Sequence, residues 1–171
     1  MLKFVGLLLV LAGTGGLGWY GAERYAFRIR LLAEIEQALQ YLYGEIEYAG
    51  SDMVELCESL SARSSYGKDF WNAMGQDLQK REGETLETLW QKNIKKLSGY
   101  TCLTREDVEL FTGIGENLGN LDRQTQLHTL GIFQNRLQEI IRQARKEYHS
   151  KAKISGVIGI TAGLFLCILL L

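Results

Sequence analysis

The chain has 171 residues, 20 acidic and 19 basic side chains, and a formal net charge of −1. A chain of this length holds one folded domain. Its slightly acidic balance excludes a nucleic-acid binder that works through a basic surface.

Charge is unevenly placed. Every Asp and Glu falls between Glu23 and Glu147, and outside residues 23–153 the only charged side chain is Lys3. The first apolar run, "FVGLLLVLAGTGGLGWYGA", covers Phe4–Ala22 (19 residues), and the last, "ISGVIGITAGLFLCILLL", covers Ile154–Leu171 (18 residues). As helices each spans roughly 27–29 Å, close to the ~30 Å hydrocarbon core of a bilayer. Residues 1–22 and 154–171 are therefore expected to be transmembrane helices, with Trp19 and Tyr20 at the headgroup edge of the first. A cleaved signal peptide would share the basic start and apolar core. Against it stand the continuation of the run through Ala22, the lack of an A-x-A site and the following Arg24, Arg28 and Arg30. These arginines, with Arg142, Arg145, Lys146, Lys151 and Lys153 before the second run, put residues 23–153 in the cytoplasm by the positive-inside rule.

Between the runs the periodicity is helical throughout, and the chain has no proline. Residues 24–48 carry a stripe of Leu31, Leu32, Ile35, Leu39, Leu42 and Ile46. Residues 52–61 open with Asp52 and Glu55 in the spacing of a capping box. Residues 68–80 carry Phe70, Trp71, Met74 and Leu78. Residues 86–97 carry Leu86, Leu89, Trp90, Ile94 and Leu97 behind Thr85 as N-cap, and residues 104–118 carry Val108, Phe111, Ile114 and Leu118 behind Thr104. A sixth helix follows Gly119, with Asn120 as its cap and Asp122 in its first turn. Its stripe of Leu130, Phe133, Leu137, Ile140, Ile141, Ala144 and Tyr148 reaches the second apolar run unbroken. Turns are expected at 49–51, 64–67, 81–84, 98–100 and 117–120. The fold class is all-α: a six-helix cytoplasmic bundle over 23–153, flanked by one membrane helix at each end, with the first and last long helices antiparallel.

Chemistry has little to stand on. A P-loop needs a glycine five residues before the Gly-Lys pair and a hydroxyl after it, and "YGKDF" supplies neither around Gly67-Lys68. His128 and His149 lie far apart with no E-x-x-H, so no metal or other cofactor is expected. Glu34/Glu36 and Glu45/Glu47 are spaced by two, point apart on a helix, and read as a solvated face. No serine or cysteine has an identifiable histidine partner. Cys57, Cys102 and Cys167 are scattered, as in a reducing compartment. Small residues recur every four positions at Thr14, Gly18 and Ala22, and at Ser155, Gly159 and Gly163, a spacing that lets membrane helices pack closely. The basic residues over 142–153 suit anionic membrane lipid.

Several motifs resemble one family. "EIEY" (Glu45–Tyr48), Trp90, "LTREDVEL" (Leu103–Leu110) and "LGNLDRQTQ" (Leu118–Gln126) are similar to stage III sporulation protein AB of endospore-forming bacteria, in which the last stretch reads L-G-x-x-D-R-x-x-Q. "GENLGNL" (Gly115–Leu121) also resembles the G-E-x-x-G-x-L of the helical domains of type II secretion and type IV pilus platform proteins. The chain departs from the sporulation family in having "SDM" where a Pro-Leu pair is common.

The resemblance implies a non-enzymatic platform in the mother-cell membrane around the forespore. It also implies a secretion-type ATPase (stage III sporulation protein AA) and other membrane subunits of that complex as partners. On that reading Glu116, Gly119, Asp122, Arg123, Gln126, Glu45 and Tyr48 form the partner-binding set, and a homo-oligomer is compatible with it. A membrane-anchored helical sensor, a lipid-modifying membrane enzyme and a holin-like pore former are the alternatives.

Overall fold

The helical stripes fold as the periodicity requires. The computed structural model describes residues 2–50, 52–80, 83–118 and 122–170, with side chains described over 23–150 apart from those gaps and residues 49 and 149, and at Thr161. Among the described residues there are six α-helices and no strand. They are α1 (Leu2–Gly44), α2 (Met53–Arg63), α3 (Lys68–Gln79), α4 (Leu86–Tyr100), α5 (Arg105–Leu118) and α6 (Arg123–Leu170), with a π-helical turn, Glu45–Ala49, closing α1.

The ends of these helices depart from expectation in four places. First, α1 widens into the π turn, and Gly50, at φ 67°, stops it by donating its N–H to the Glu45 carbonyl at 2.8 Å. A left-handed φ is where glycine costs least. Second, the capping box expected at Asp52 does not form. Asp52 sits at the N-cap of α2 with extended backbone but makes no side-chain cap bond. Third, α4 runs through Ser98, Gly99 and Tyr100, where a turn was expected. Its last turn is held by the Thr101 N–H and hydroxyl, which reach the Leu97 carbonyl at 3.1 and 2.7 Å. Fourth, α6 starts later than expected, and Asp122, not Asn120, is its cap: the Gln126 N–H donates to the Asp122 carbonyl at 2.9 Å. Thr85 caps α4 as the sequence predicts, accepting from the Thr88 N–H at 3.2 Å.

The chain forms two compact units. Residues Arg28–Arg142 make one; residues Met1–Phe27 and Gln143–Leu171 make the other. In the first, α1 contributes Leu31, Leu32, Leu39 and Leu42 to the core, and α6 contributes Leu130, Leu137, Ile140 and Ile141, all at most 4% exposed. Burying each such side chain is worth ~1.5–3 kcal/mol. In sequence order, α2 packs on α3, α3 on α4 and α4 on α5. The Cys57 Cβ lies 3.3 Å from where a Cβ on Gly75 would stand, so α2 and α3 meet over that glycine. Phe70, Trp71 and Trp90 meet edge-to-face, with ring centroids 4.9–5.8 Å apart.

Helical backbone runs through both apolar ends. Among the described residues, no helix is long and apolar enough to cross a membrane. The side chains of residues 1–22, 151–160 and 162–171 lie outside the described set, and with them the packing positions Thr14, Gly18, Ala22, Ser155, Gly159 and Gly163.

Candidate partner interface

The motif residues divide between those that hold the fold and those that face solvent. Trp90 of α4 is 3% exposed and donates its indole N–H to the Phe111 carbonyl of α5 at 2.7 Å. Gly115, one turn further along α5, is what lets the ring in: a Cβ there would stand 2.2 Å from two indole carbons. The first glycine of "GENLGNL" therefore serves close packing of α4 against α5.

The corner between α5 and α6 is built from the second half of the same stretch. Asp122 accepts from the Gln124 and Thr125 N–H groups at 3.0 and 3.1 Å, and from the Thr125 hydroxyl. These bonds, the hydroxyl's foremost, hold its carboxyl below the ordinary value. Gln126 reaches back and donates from Nε2 to the Leu118 carbonyl at 2.8 Å, satisfying one of the acceptors left open at the end of α5. Asp122 and Gln126 thus fasten the corner. Arg123 and Glu116 are exposed, with Glu116 accepting from Gln91 at 3.4 Å. Gly119 lies outside the described residues, as does Asn120.

Two charged residues have structural roles that the sequence did not reveal. Arg28 forms a buried two-pronged ion pair with Asp107: Nε to Oδ2 at 2.7 Å and Nη2 to Oδ1 at 2.9 Å. Asp107 is fully buried, and it also accepts from the Thr104 N–H at 2.8 Å, while Thr104 Oγ1 accepts from the Asp107 N–H at 3.3 Å. Thr104 and Asp107 therefore form a reciprocal capping box at the start of α5, and Arg28 locks it to α1. Glu34 is no solvated surface group either. Its carboxylate accepts the N–H groups of Ser65, Tyr66 and Gly67 at 2.8–3.0 Å, which orders the loop before α3. Glu36 accepts from Gln138 of α6 at 2.8 Å. Thr104 followed three residues later by an acid was a legible signal; nothing in the sequence marks the partner of Arg28 or Glu34, residues 79 and 31–33 positions away.

The remaining polar groups do not converge on a reactive centre. Among the described residues no three His, Cys, Asp or Glu side chains cluster as metal ligands. Asp77 is held down to about 2 by hydrogen bonds from Asn93 and Lys80 and by the nearby Lys92. Asn93 is 2% exposed, and its Oδ1 has no hydrogen-bond partner among the described residues. Burial pushes the Cys57 thiol up to about 12, so it is protonated and unreactive at neutral pH. A cavity of about 20 Å³ lies in the core between Leu31, Leu39, Phe70, Trp71 and Trp90. It has room for one water but is lined by apolar groups, so it stays dry.

At the end of α1, the π turn presents Tyr48, which is 83% exposed. The adjacent Glu47 carboxylate accepts its hydroxyl and raises its pKa. Glu45, the first residue of the turn, is half-buried. Single π turns are frequent at functional sites, and tyrosine is among the residues enriched at the energetic centres of interfaces.

Known proteins share both the sequence pattern and the fold. A family model described as stage III sporulation protein AB matches residues 3–171. Stage III sporulation protein AB of Bacillus subtilis (strain 168) is 24% identical over 171 residues, covering 100% of both chains. A solved structure of a stage III sporulation protein AB superposes with a TM-score of 0.68 at 22% identity, covering 72% of this chain and 97% of that one, a likeness of fold.

Proposed function

The chain belongs to the stage III sporulation protein AB family, and from that premise we propose that it is a non-enzymatic platform subunit of a secretion-like complex. A role in sporulation follows from the family itself. On our reading the complex spans the envelope between mother cell and forespore. The apolar ends anchor the protein in the mother-cell membrane, and the helical domain between them faces the cytoplasm. There it couples to a secretion-type ATPase and neighbouring membrane subunits, while another chain hydrolyses the nucleotide.

The observation that carries this reading is the division of labour among the motif residues. Gly115 seats α5 against Trp90 of α4 and Asp122 and Gln126 fasten the α5–α6 corner, while Glu116, Arg123 and Tyr48 are turned outward. A platform needs a rigid scaffold that displays contact residues, and this is such a pattern. The test is co-purification of the full-length protein with the ATPase, with and without nucleotide. Recovery of the ATPase, lost in the Tyr48→Ala/Arg123→Ala variant, supports the platform role. Failure to recover it under either condition overturns it.

A further inference from the structure

The two compact units carry opposite charge. Residues 28–142 hold 18 Asp and Glu against 13 Lys and Arg, a net −5. Residues 1–27 and 143–171 hold six Lys and Arg (Lys3, Arg24, Arg145, Lys146, Lys151 and Lys153) against Glu23 and Glu147, a net +4.

On α1, Arg24 beside the first apolar run is exposed, whereas the next two arginines make contacts within the fold. Arg28 is buried against Asp107, and Arg30 donates to the Tyr66 hydroxyl at 2.8 Å and stacks over its ring. Four of the six basic residues of the positive unit, Arg145, Lys146, Lys151 and Lys153, lie on α6. There Arg145 and Lys146 are exposed, while Ala144 beside them is buried. At the helical repeat, positions 145, 146, 149 and 153 fall within a ~100° arc that leads into the apolar run at Ile154.

We infer that this face of α6 is a docking surface for anionic lipid headgroups. The inference rests on the membrane anchoring proposed above. If the hydrocarbon begins at Ile154, Lys153 lies at its edge, and Lys146 and Arg145 stand roughly 12 and 14 Å out along the axis. The headgroup layer is roughly 5–7 Å deep, and charge is felt about a further 8 Å beyond it at physiological salt. All three residues lie inside that range. Lipid phosphates are the occupant that complements a positive face placed where α6 meets the apolar run. An acidic protein would dock as well on a face further along the helix, and nothing would then tie the charges to Ile154.

The experiment titrates full-length protein in neutral detergent with phosphatidylglycerol or phosphatidylcholine and counts bound lipid by native mass spectrometry. Phosphatidylglycerol binds preferentially in the unaltered protein, and each of Arg145→Gln, Lys146→Gln and Lys153→Gln weakens it by up to about fivefold. Lys95→Gln/Lys96→Gln, exposed positions on α4, leaves the preference intact. Lys146→Gln alone serves if the triple variant fails to fold. Equal binding of the two lipids, or an undiminished preference in the triple variant, overturns the inference, as does a preference for an acidic peptide over phosphatidylglycerol. Alkaline washing of membranes separates the two readings. Protein released by the wash sinks the membrane anchoring and this inference together, whereas retained protein without lipid preference sinks this inference alone.

Discussion

A methyl group on Gly115 would sit 2.2 Å from the indole of Trp90, far inside van der Waals contact. The contact is between side chain and backbone on two helices, so neither partner can swing away without moving a helix. Gly115→Ala should therefore destabilise the domain by ~1–3 kcal/mol, lowering the melting temperature by roughly 3–10 °C. Gly131, on α6, has open space where its Cβ would be. Gly131→Ala should instead stabilise by up to about 1 kcal/mol, since the helix gains a residue with less backbone freedom to lose. Thermal melts of the two variants, read side by side, check the sign of each.

The Arg28–Asp107 pair predicts a thermodynamic cycle. Removing either partner strands a buried charge, at ~3–5 kcal/mol, while replacing both by apolar residues of similar volume relieves most of that loss. Arg28→Met and Asp107→Leu should each be severely destabilised in denaturant titrations, and the double variant should be closer to the parent than either. Arg28→Lys should not rescue, because an ammonium cannot make the two-pronged bond. Additive losses in the double variant would show that the pair is not coupled.

Asp77 gives a pH signature. Its carboxyl falls from 3.8 to about 2 in the fold, so between those values the unfolded chain binds the extra proton. Stability from this group is therefore fully present above about pH 4 and is lost as the pH falls toward about 2. Asp77→Asn should melt below the parent at pH 7, and the gap should narrow through that window. A gap that stays constant from pH 5 to the acid limit would contradict the assignment.

Surface and corner residues should separate in experiment. Arg123→Ala and Tyr48→Ala remove exposed side chains and should leave the melting temperature where it was while weakening partner recovery. Asp122→Ala removes the cap of α6, and Gln126→Leu leaves the Leu118 carbonyl without its donor, so both should lower the melting temperature as well. If Arg123→Ala melts like Asp122→Ala, the corner has no outward-facing half.

The helices were legible because their cause is local. The apolar stripe at Leu86, Leu89, Trp90, Ile94 and Leu97, with Thr85 before it, dictates an amphipathic helix whatever it packs against. The capping threonines were visible for the same reason, and so were the motif positions on α4 and α5. Helix ends were less so: Ser98-Gly99 reads as a stop, yet packing of Leu97 and the Thr101 bonds carry α4 past it.

What only the tertiary structure decided is the meaning of the charges and glycines. Arg28 reads along the chain as a membrane-orienting charge, and in the fold it is a buried clamp on Asp107, 79 residues away. Glu34 reads as solvated, and in the fold it orders the loop before α3. Gly115 reads as the first glycine of a family-like motif near the end of a helix, and in the fold it makes room for Trp90. Periodicity and capping depend on neighbours within one helical turn, so a single sequence contains them. Ion pairs and close approaches depend on which helices meet, and that is fixed only when the whole core closes.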